Sequence, residues 1–340
     1  MNSEKYNANL INSGKVSVII TAYNRISFIH RAIESVLKQT INSKDIEIIV
    51  VSNTDFNINV PSYFKFYKII MEGTIGDFLA RAITLATGDI ISFLDDDDLW
   101  NRDKLKRIIE AFSDEKIVFY HNLYSYIDSN GEPINFVRKV EKDNKNSFHS
   151  KMVFNPTNNI DKLKLAIKMK ADFNLSCIAV RKSLAHKYID ILKMITSAPD
   201  GFFFWIAIIS REYLFIDNKC LTDYRVHSLN VSGSKNLEHK ATELQKQIMT
   251  FNLLINMITP NNCENNYTKD VKEWLKLYKY EYQIMILVFS DGGKLTILNN
   301  IISVLHTGIK TWNILKSRVI LFGVIAIISS RFAKSVYIKI

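Results

Sequence analysis

Ile90-Ile91-Ser92-Phe93-Leu94-Asp95-Asp96-Asp97-Asp98-Leu99-Trp100 is the stretch on which the reading of this chain turns. Its first half is a short apolar run, the pattern of a buried strand. Its second half sets four carboxylates side by side, which repel one another and resist ionisation unless something positive lies near. A divalent cation with oxygen ligands is the natural partner. Mg²⁺ or Mn²⁺ keeps several waters and also binds a diphosphate. The competing reading is a solvated turn that caps a helix starting near Arg102. The apolar pair Leu99-Trp100, rare on a plain surface turn, favours the metal–diphosphate reading.

Working outward, Val16 to Thr21 and Ile46 to Val51 are β-branched runs, Phe66 to Met71 predicts a third strand, and 90–94 a fourth. Between them, Phe28, Ala32, Ile33, Val36 and Leu37 recur at helical spacing, with Asn24 or Ser27 available as cap. A second helix is predicted over about 76–86, stopped at Gly88. This alternation predicts an α/β fold with right-handed crossovers and a mainly parallel sheet. Ligands in such sheets sit at the carboxyl ends of strands. That rule singles out residues 21–25, 52–55 and 95–100. From about 236 the pattern is mostly helical, so a boundary is placed near Ser232 to Asn236.

The 340 residues are 47% apolar, which excludes a disordered chain, and carry a net charge of +10 that favours anionic partners. Three dispersed cysteines without a CxxC spacing argue against a disulfide framework or structural zinc and fit a reducing compartment. The opening Met1-Asn2-Ser3-Glu4-Lys5 lacks the apolar core of a secretory signal, so an intracellular protein is expected. Much of the positive charge lies at the end. From Gly292 to Ile340 there are Lys294, Lys310, Lys316, Arg318, Arg331, Lys334 and Lys339 and no acidic residue. The apolar run between Arg318 and Arg331 is shorter than the ~20 residues that span a bilayer. A helix lying on an anionic membrane surface is the expectation, with a buried core helix as the alternative. No zinc-finger spacing or aromatic–basic interleaving suggests nucleic acid.

Val16-Ser17-Val18-Ile19-Ile20-Thr21-Ala22-Tyr23-Asn24-Arg25 resembles the opening strand of family 2 glycosyltransferases of the GT-A fold, and Arg81 to Trp100 resembles their central segment with its DxD motif, here Asp95-Asp96-Asp97. The resemblance implies a GT-A, Rossmann-like mixed sheet flanked by helices over residues 1–232, with a helical C-terminal extension over 233–340. It implies a nucleotide-sugar donor across the strand ends, with Thr21, Tyr23 and Arg25 as nucleotide contacts; the competing reading of Tyr23 is a ring packed on the sheet edge. Asp97 matches the principal metal ligand, and Asp95 and Asp96 lie towards ribose and diphosphate. Asp98 is also placed to cap the next helix. Trp100 has two readings, a platform for a sugar face or a core residue. The family's second acidic position after the second strand is Asn53 here. An amide both accepts from and donates to a uracil edge, so uridine recognition survives the change.

Farther on, Asn174 to Arg181 resembles the strand before the acceptor region, and Pro199-Asp200 stands where the family has Glu-Asp. Inverting transfer needs a carboxylate to take the acceptor's proton. Asp200 is the candidate, with the N-cap of an aromatic helix over Phe202 to Trp205 as the competing role. Those aromatics are candidates for an acceptor platform, with helical spacing putting at least two of the four into the core. Tyr224-Arg225-Val226-His227 resembles the family's Tyr-Arg-x-His segment, which implies His227 as a metal or diphosphate ligand, with a satisfied structural histidine as the competing reading. The expected enzyme works on a glycan or lipid-linked glycan acceptor in surface-polysaccharide biosynthesis, peripheral on the cytoplasmic face of the membrane. Two rivals are a nucleotidyltransferase, opposed by the glycine-free loop after the first strand, and a non-catalytic scaffold, supported by Asn53 and Pro199.

Overall fold

A computed structural model describes residues 15–23, 26–134, 150–227, 236–258, 266–290, 292–305, 314–329 and 333. The predicted strands form β1 (Val16–Ala22), β2 (Ile46–Ser52), β3 (Lys65–Ile70) and β4 (Ile90–Asp95). All seven residues of β1 and of β2 are buried, as expected of strands covered on both faces. They are joined by α1 (Ile29–Leu37) and α2 (Ile75–Leu85). The chain continues through β5 (Leu99–Trp100), α3 (Lys104–Phe112), β6 (Ile117–Ile127), β7 (Met152–Phe154), α4 (Ile160–Lys168), a 3₁₀ turn (Leu175–Cys177) and β8 (Ile178–Arg181). Two short helices, α5 (Lys182–Lys187) and α6 (Ile189–Leu192), lead to α7 (Pro199–Ser210) and β9 (Tyr213–Arg225).

Among the described residues the strands make one mixed sheet in the order β3-β2-β1-β4-β8-β6-β9-β5, with β7 on β9. The first four strands are mutually parallel. Antiparallel β8 inserts the second half of the chain beside β4. The register sets Thr21 between Val51 and Asp95, and Ala22 beside Ser52. The ends of β1, β2 and β4 therefore meet at one edge, where the sequence placed its candidates.

Two local expectations are corrected. The N-cap of α1 is Phe28, which makes no side-chain cap, so Ser27 does not serve, and Asn24 lies outside the described residues. α2 ends at Leu85, where extended Ala86 returns its N–H to the Ala82 carbonyl. Gly88 is a close-approach residue instead of a helix stop. A Cβ there would lie 2.5 Å from the Lys15 carbonyl and 2.8 Å from the Ser17 nitrogen. Its N–H donates to Ser17 Oγ, which donates in turn to buried Glu47.

The C-terminal helices are α8 (Leu237–Ile258), α9 (Asn266–Phe289), α10 (Lys294–Leu305) and α11 (Ile314–Ile328). The boundary drawn near Ser232 falls outside the described residues. One core runs from Phe93 and Phe203 through Trp205 to Leu254, Trp274, Ile284, Ile301 and Ala326. Trp205 meets Tyr278 edge-on at 5.9 Å, and the Tyr267 hydroxyl donates to the Ile208 carbonyl at 2.8 Å. Among the described residues no helix is long and apolar enough to cross a membrane. Gly88→Ala is expected to destabilise the fold by about 1–3 kcal/mol by forcing β1 away from the turn before β4, seen as a lower denaturant midpoint at unchanged slope.

Candidate active site

β4 ends on Asp95, which is half-buried, while Asp96, Asp97 and Asp98 turn inward and are 2%, 4% and 0% exposed. Burial raises the Asp95 carboxyl well above the usual range, and the charges of Asp98, Asp97, Asp96 and Asp200 raise it further. Asp98 is raised too, by burial and by Asp97, against the pull of bonds from Arg225, Ser176 and Asn174. Asp97 Oδ2 lies 3.0 Å from His227 Nε2, so the one imidazole named by the sequence reaches the cluster. Among the described residues no three His, Cys, Asp or Glu side chains converge as a complete cage. Asp97 and His227 supply a carboxylate and an imidazole, ligand types that a divalent cation such as Mn²⁺ accepts alongside water or phosphate oxygens.

Asp98 does not cap α3, whose N-cap is Asp103. Its Oδ1 accepts the Arg225 N–H at 2.9 Å, and its Oδ2 accepts from Asn174 Nδ2 at 3.0 Å. Arg225 is fully buried. Its Nε donates to the Asp97 carbonyl at 2.7 Å, its Nη1 to the Asp128 carbonyl at 2.8 Å, and its guanidinium lies 4.7 Å from the Phe28 ring centre. Phe28 also packs on His227, with centroids 5.0 Å apart. The end of β9 is therefore stapled under the acidic loop by the arginine of the Tyr-Arg-x-His segment.

Asn174 joins the loop to the candidate base. Its φ is +67°, a conformation that asparagine tolerates better than most side chains. Its backbone N–H donates to Asp200 Oδ2 at 2.9 Å, while its side-chain oxygen takes the Ser176 N–H at 2.8 Å. Ser176 Oγ accepts the Asp95 N–H at 2.9 Å. The Ser176 carbonyl accepts from Lys104 Nζ at 2.7 Å, Trp100 Nε1 at 2.9 Å and Thr222 Oγ1 at 3.2 Å. Lys104 is fully buried, and burial lowers its ammonium to about 7.

Asp200 is the second residue of α7, not its cap. Ala198 holds that position at φ +52°, with Pro199 pre-set for the first turn. Asp200 Oδ1 accepts the Gly201 N–H at 2.9 Å. Burial pushes its carboxyl up to about 6, opposed by the Gly201 and Asn174 N–H bonds and reinforced by Asp172. Pro199, where the family has Glu, thus fits the start of a helix.

The remaining candidates divide. Thr21 is buried at the end of β1, and Tyr23 stands 52% exposed just beyond it, its ring 5.9 Å from Phe78. Asn53 is half-buried after β2 and accepts the Thr54 hydroxyl at 3.4 Å. Arg25 lies outside the described residues. Trp100 takes its core reading: it is 4% exposed, with its indole N–H bound to Ser176 and Lys104 Nζ over its ring at 4.9 Å. Phe202 to Trp205 are all buried, so they form core and not a platform, with Phe203 stacked on Phe93 at 4.5 Å. Sequence reasoning missed Asn174, Ser176 and Lys104. The Asn-x-Ser turn signature was available at 174–176. Nothing local marks Lys104 as buried.

The family model "Glycosyl transferase family 2" matches residues 17–161. An uncharacterised glycosyltransferase of Nostoc is 36% identical over 130 residues, 35% of this chain, and the match spans only 39% of that protein's length. WfaP of Escherichia coli, a UDP-Glc:α-D-GlcNAc-diphosphoundecaprenol β-1,3-glucosyltransferase, is 31% identical over 239 residues, covering 65% of this chain and 80% of WfaP. Among solved structures, Staphylococcus aureus TarS 1–349 in complex with UDP-GlcNAc superposes with a TM-score of 0.58 over 96% of this chain and 89% of that one, at 14% identity. At that identity the likeness is one of fold.

Asn174→Gly and Asn174→Ala both delete the amide bonds to Asp98 and Ser176, but only alanine bears a Cβ at positive φ. Alanine is expected to cost about 1 kcal/mol more than glycine, measurable as the difference between their denaturant midpoints.

Proposed function

The chain belongs to glycosyl transferase family 2, and on that basis we propose that it transfers a sugar from a nucleoside-diphosphate sugar, a UDP-sugar, to a hydroxyl of a glycan or lipid-linked glycan acceptor, with inversion. The observation that carries this reading is the meeting of Thr21, Asn53 and the Asp95–Asp98 loop at one sheet edge, with Asp200 tied to that loop through Asn174. The names of WfaP's donor and acceptor support a UDP-sugar and a lipid-diphosphate glycan as the substrate classes.

In this reading Tyr23 and Asn53 border the nucleoside, Thr21 and the half-buried Asp95 face the ribose and diphosphate with Asp96, and Arg25 joins them. Asp97 and His227 would hold Mn²⁺ or Mg²⁺, which would offset the charge growing on the leaving diphosphate. The acceptor oxygen bonds to the anomeric carbon as the bond to the diphosphate oxygen breaks, and the electron pair leaves with the nucleoside diphosphate. Asp200 takes the acceptor's proton. A base near 6 is ionised at neutral pH yet basic enough to pull on a hydroxyl whose proton is loosened in an oxocarbenium-like transition state. The domain spans about residues 1–232, and the basic helical remainder attaches it peripherally to the cytoplasmic face of the membrane for surface-polysaccharide synthesis.

Calorimetric titration with UDP, GDP and TDP, with and without Mn²⁺, is the first test. UDP is expected to bind only with metal, and Asp97→Ala to abolish that binding. No nucleotide binding by a folded protein would overturn the donor site. Asp200→Asn is expected to keep donor binding and lower turnover by roughly 10²–10⁴-fold. Because Asp200 works as the carboxylate, turnover is full well above pH 6, half-maximal at about 6, and falls further as the pH drops below that value. Unchanged turnover in Asp200→Asn would remove the base.

A further inference from the structure

α10 and α11 each have one face in the core and one face turned outward. On α10, Ile297, Ile301 and Val304 are buried, while Leu295, Leu298, Ile302 and Leu305 are 70%, 43%, 42% and 48% exposed. On α11, Ala326 is buried, while Leu321, Val324 and Ile328 are 62%, 42% and 75% exposed. Spacings of three and four residues make each outward set a stripe along its helix. The helices are close neighbours, since a Cβ on Gly323 would fall 2.7 Å from Ile301 Cδ1. Single exposed apolar residues are ordinary on a protein surface, but two adjoining stripes are not. Among the described residues, every leucine this exposed lies on these two helices.

Charge selects the occupant. The sequence from Gly292 to Ile340 carries seven Lys and Arg and no Asp or Glu. The preceding helices differ, with Glu243–Lys246 on α8 and Glu273–Lys276 on α9 forming the mixed-sign pairs of a water-facing surface. An apolar face within an exclusively cationic segment complements a bilayer with anionic headgroups. It does not complement itself, because a second copy would bring like charges together.

We propose that the paired outer faces of α10 and α11 form a docking plate that inserts into the headgroup–acyl boundary of an anionic bilayer. The inference rests on the membrane attachment proposed above and deepens it. The apolar run of α11 is only half of the contact, and α10, which the sequence did not single out, supplies the other half.

The test uses the full chain and sedimentation with phosphatidylglycerol-containing or pure phosphatidylcholine vesicles. The parent protein is expected to pellet with the anionic vesicles and much less with the neutral ones. Ile302→Glu and Val324→Glu, at outward positions on the two helices, are each expected to lower partitioning by roughly tenfold or more, without change in thermal unfolding. Leu295→Glu is the companion variant, since an acidic residue in the first turn suits the helix dipole and leaves folding undisturbed. Undiminished binding of folded α10 variants would overturn the plate. So would a parent dimer in sedimentation velocity that the same substitutions dissolve. Transfer to a water-soluble acceptor is measured alongside. Failure of transfer with vesicle binding intact would strike the proposed activity and leave the plate standing.

Discussion

Four carboxylates leave β4 at successive positions, and their repulsion has to be balanced from several directions at once. Three of the four side chains are nearly or fully buried, where charge is least tolerated. The answer in this fold is convergence. Arg225 comes from the end of β9, Asn174 and Ser176 from the turn before β8, and Lys104 from beneath, in the first turn of α3. Arg225, Asn174 and Ser176 lie far from the acidic loop in sequence, and Lys104, which is close to it in sequence, reaches it through the Ser176 carbonyl, so the loop takes its shape only once the second half of the chain has paired with the first.

That dependence accounts for β8. By inserting antiparallel between β4 and β6 it delivers the turn at 174–177 to the end of β4. The turn then serves both sides of the site. One asparagine holds Asp98 with its side chain and Asp200 with its backbone, so the loop and the candidate base share a single support. The positive φ of Asn174 is the local cost of that double duty. α7 completes the arrangement, because its aromatic residues lock into the core and fix the helix whose second position is Asp200.

The C-terminal helices extend the same core instead of forming a separate one. Trp205 and Tyr278 meet across the junction, and the contact continues through Ile284 and Ile301 to Gly323. Helices anchored this way hold their outer faces in a fixed relation to the catalytic sheet.

By itself the sequence determined the parallel half of the sheet, because buried β-branched runs and intervening amphipathic helices are local patterns. It also determined that β4 ends in an acidic loop, and it paired His227 with that loop through a motif. The tertiary structure decided the roles. Trp100 looked equally fit for a sugar face or the core until Ser176 claimed its indole N–H. The Phe202 to Trp205 run was expected to split between core and surface and went wholly inside. Asn174 and Lys104 carried no catalytic signature, since what each does rests mainly on partners 18 to 118 positions away. Backbone pattern is written over a few neighbouring residues, but the balance of buried charge is struck between residues that only the fold brings together.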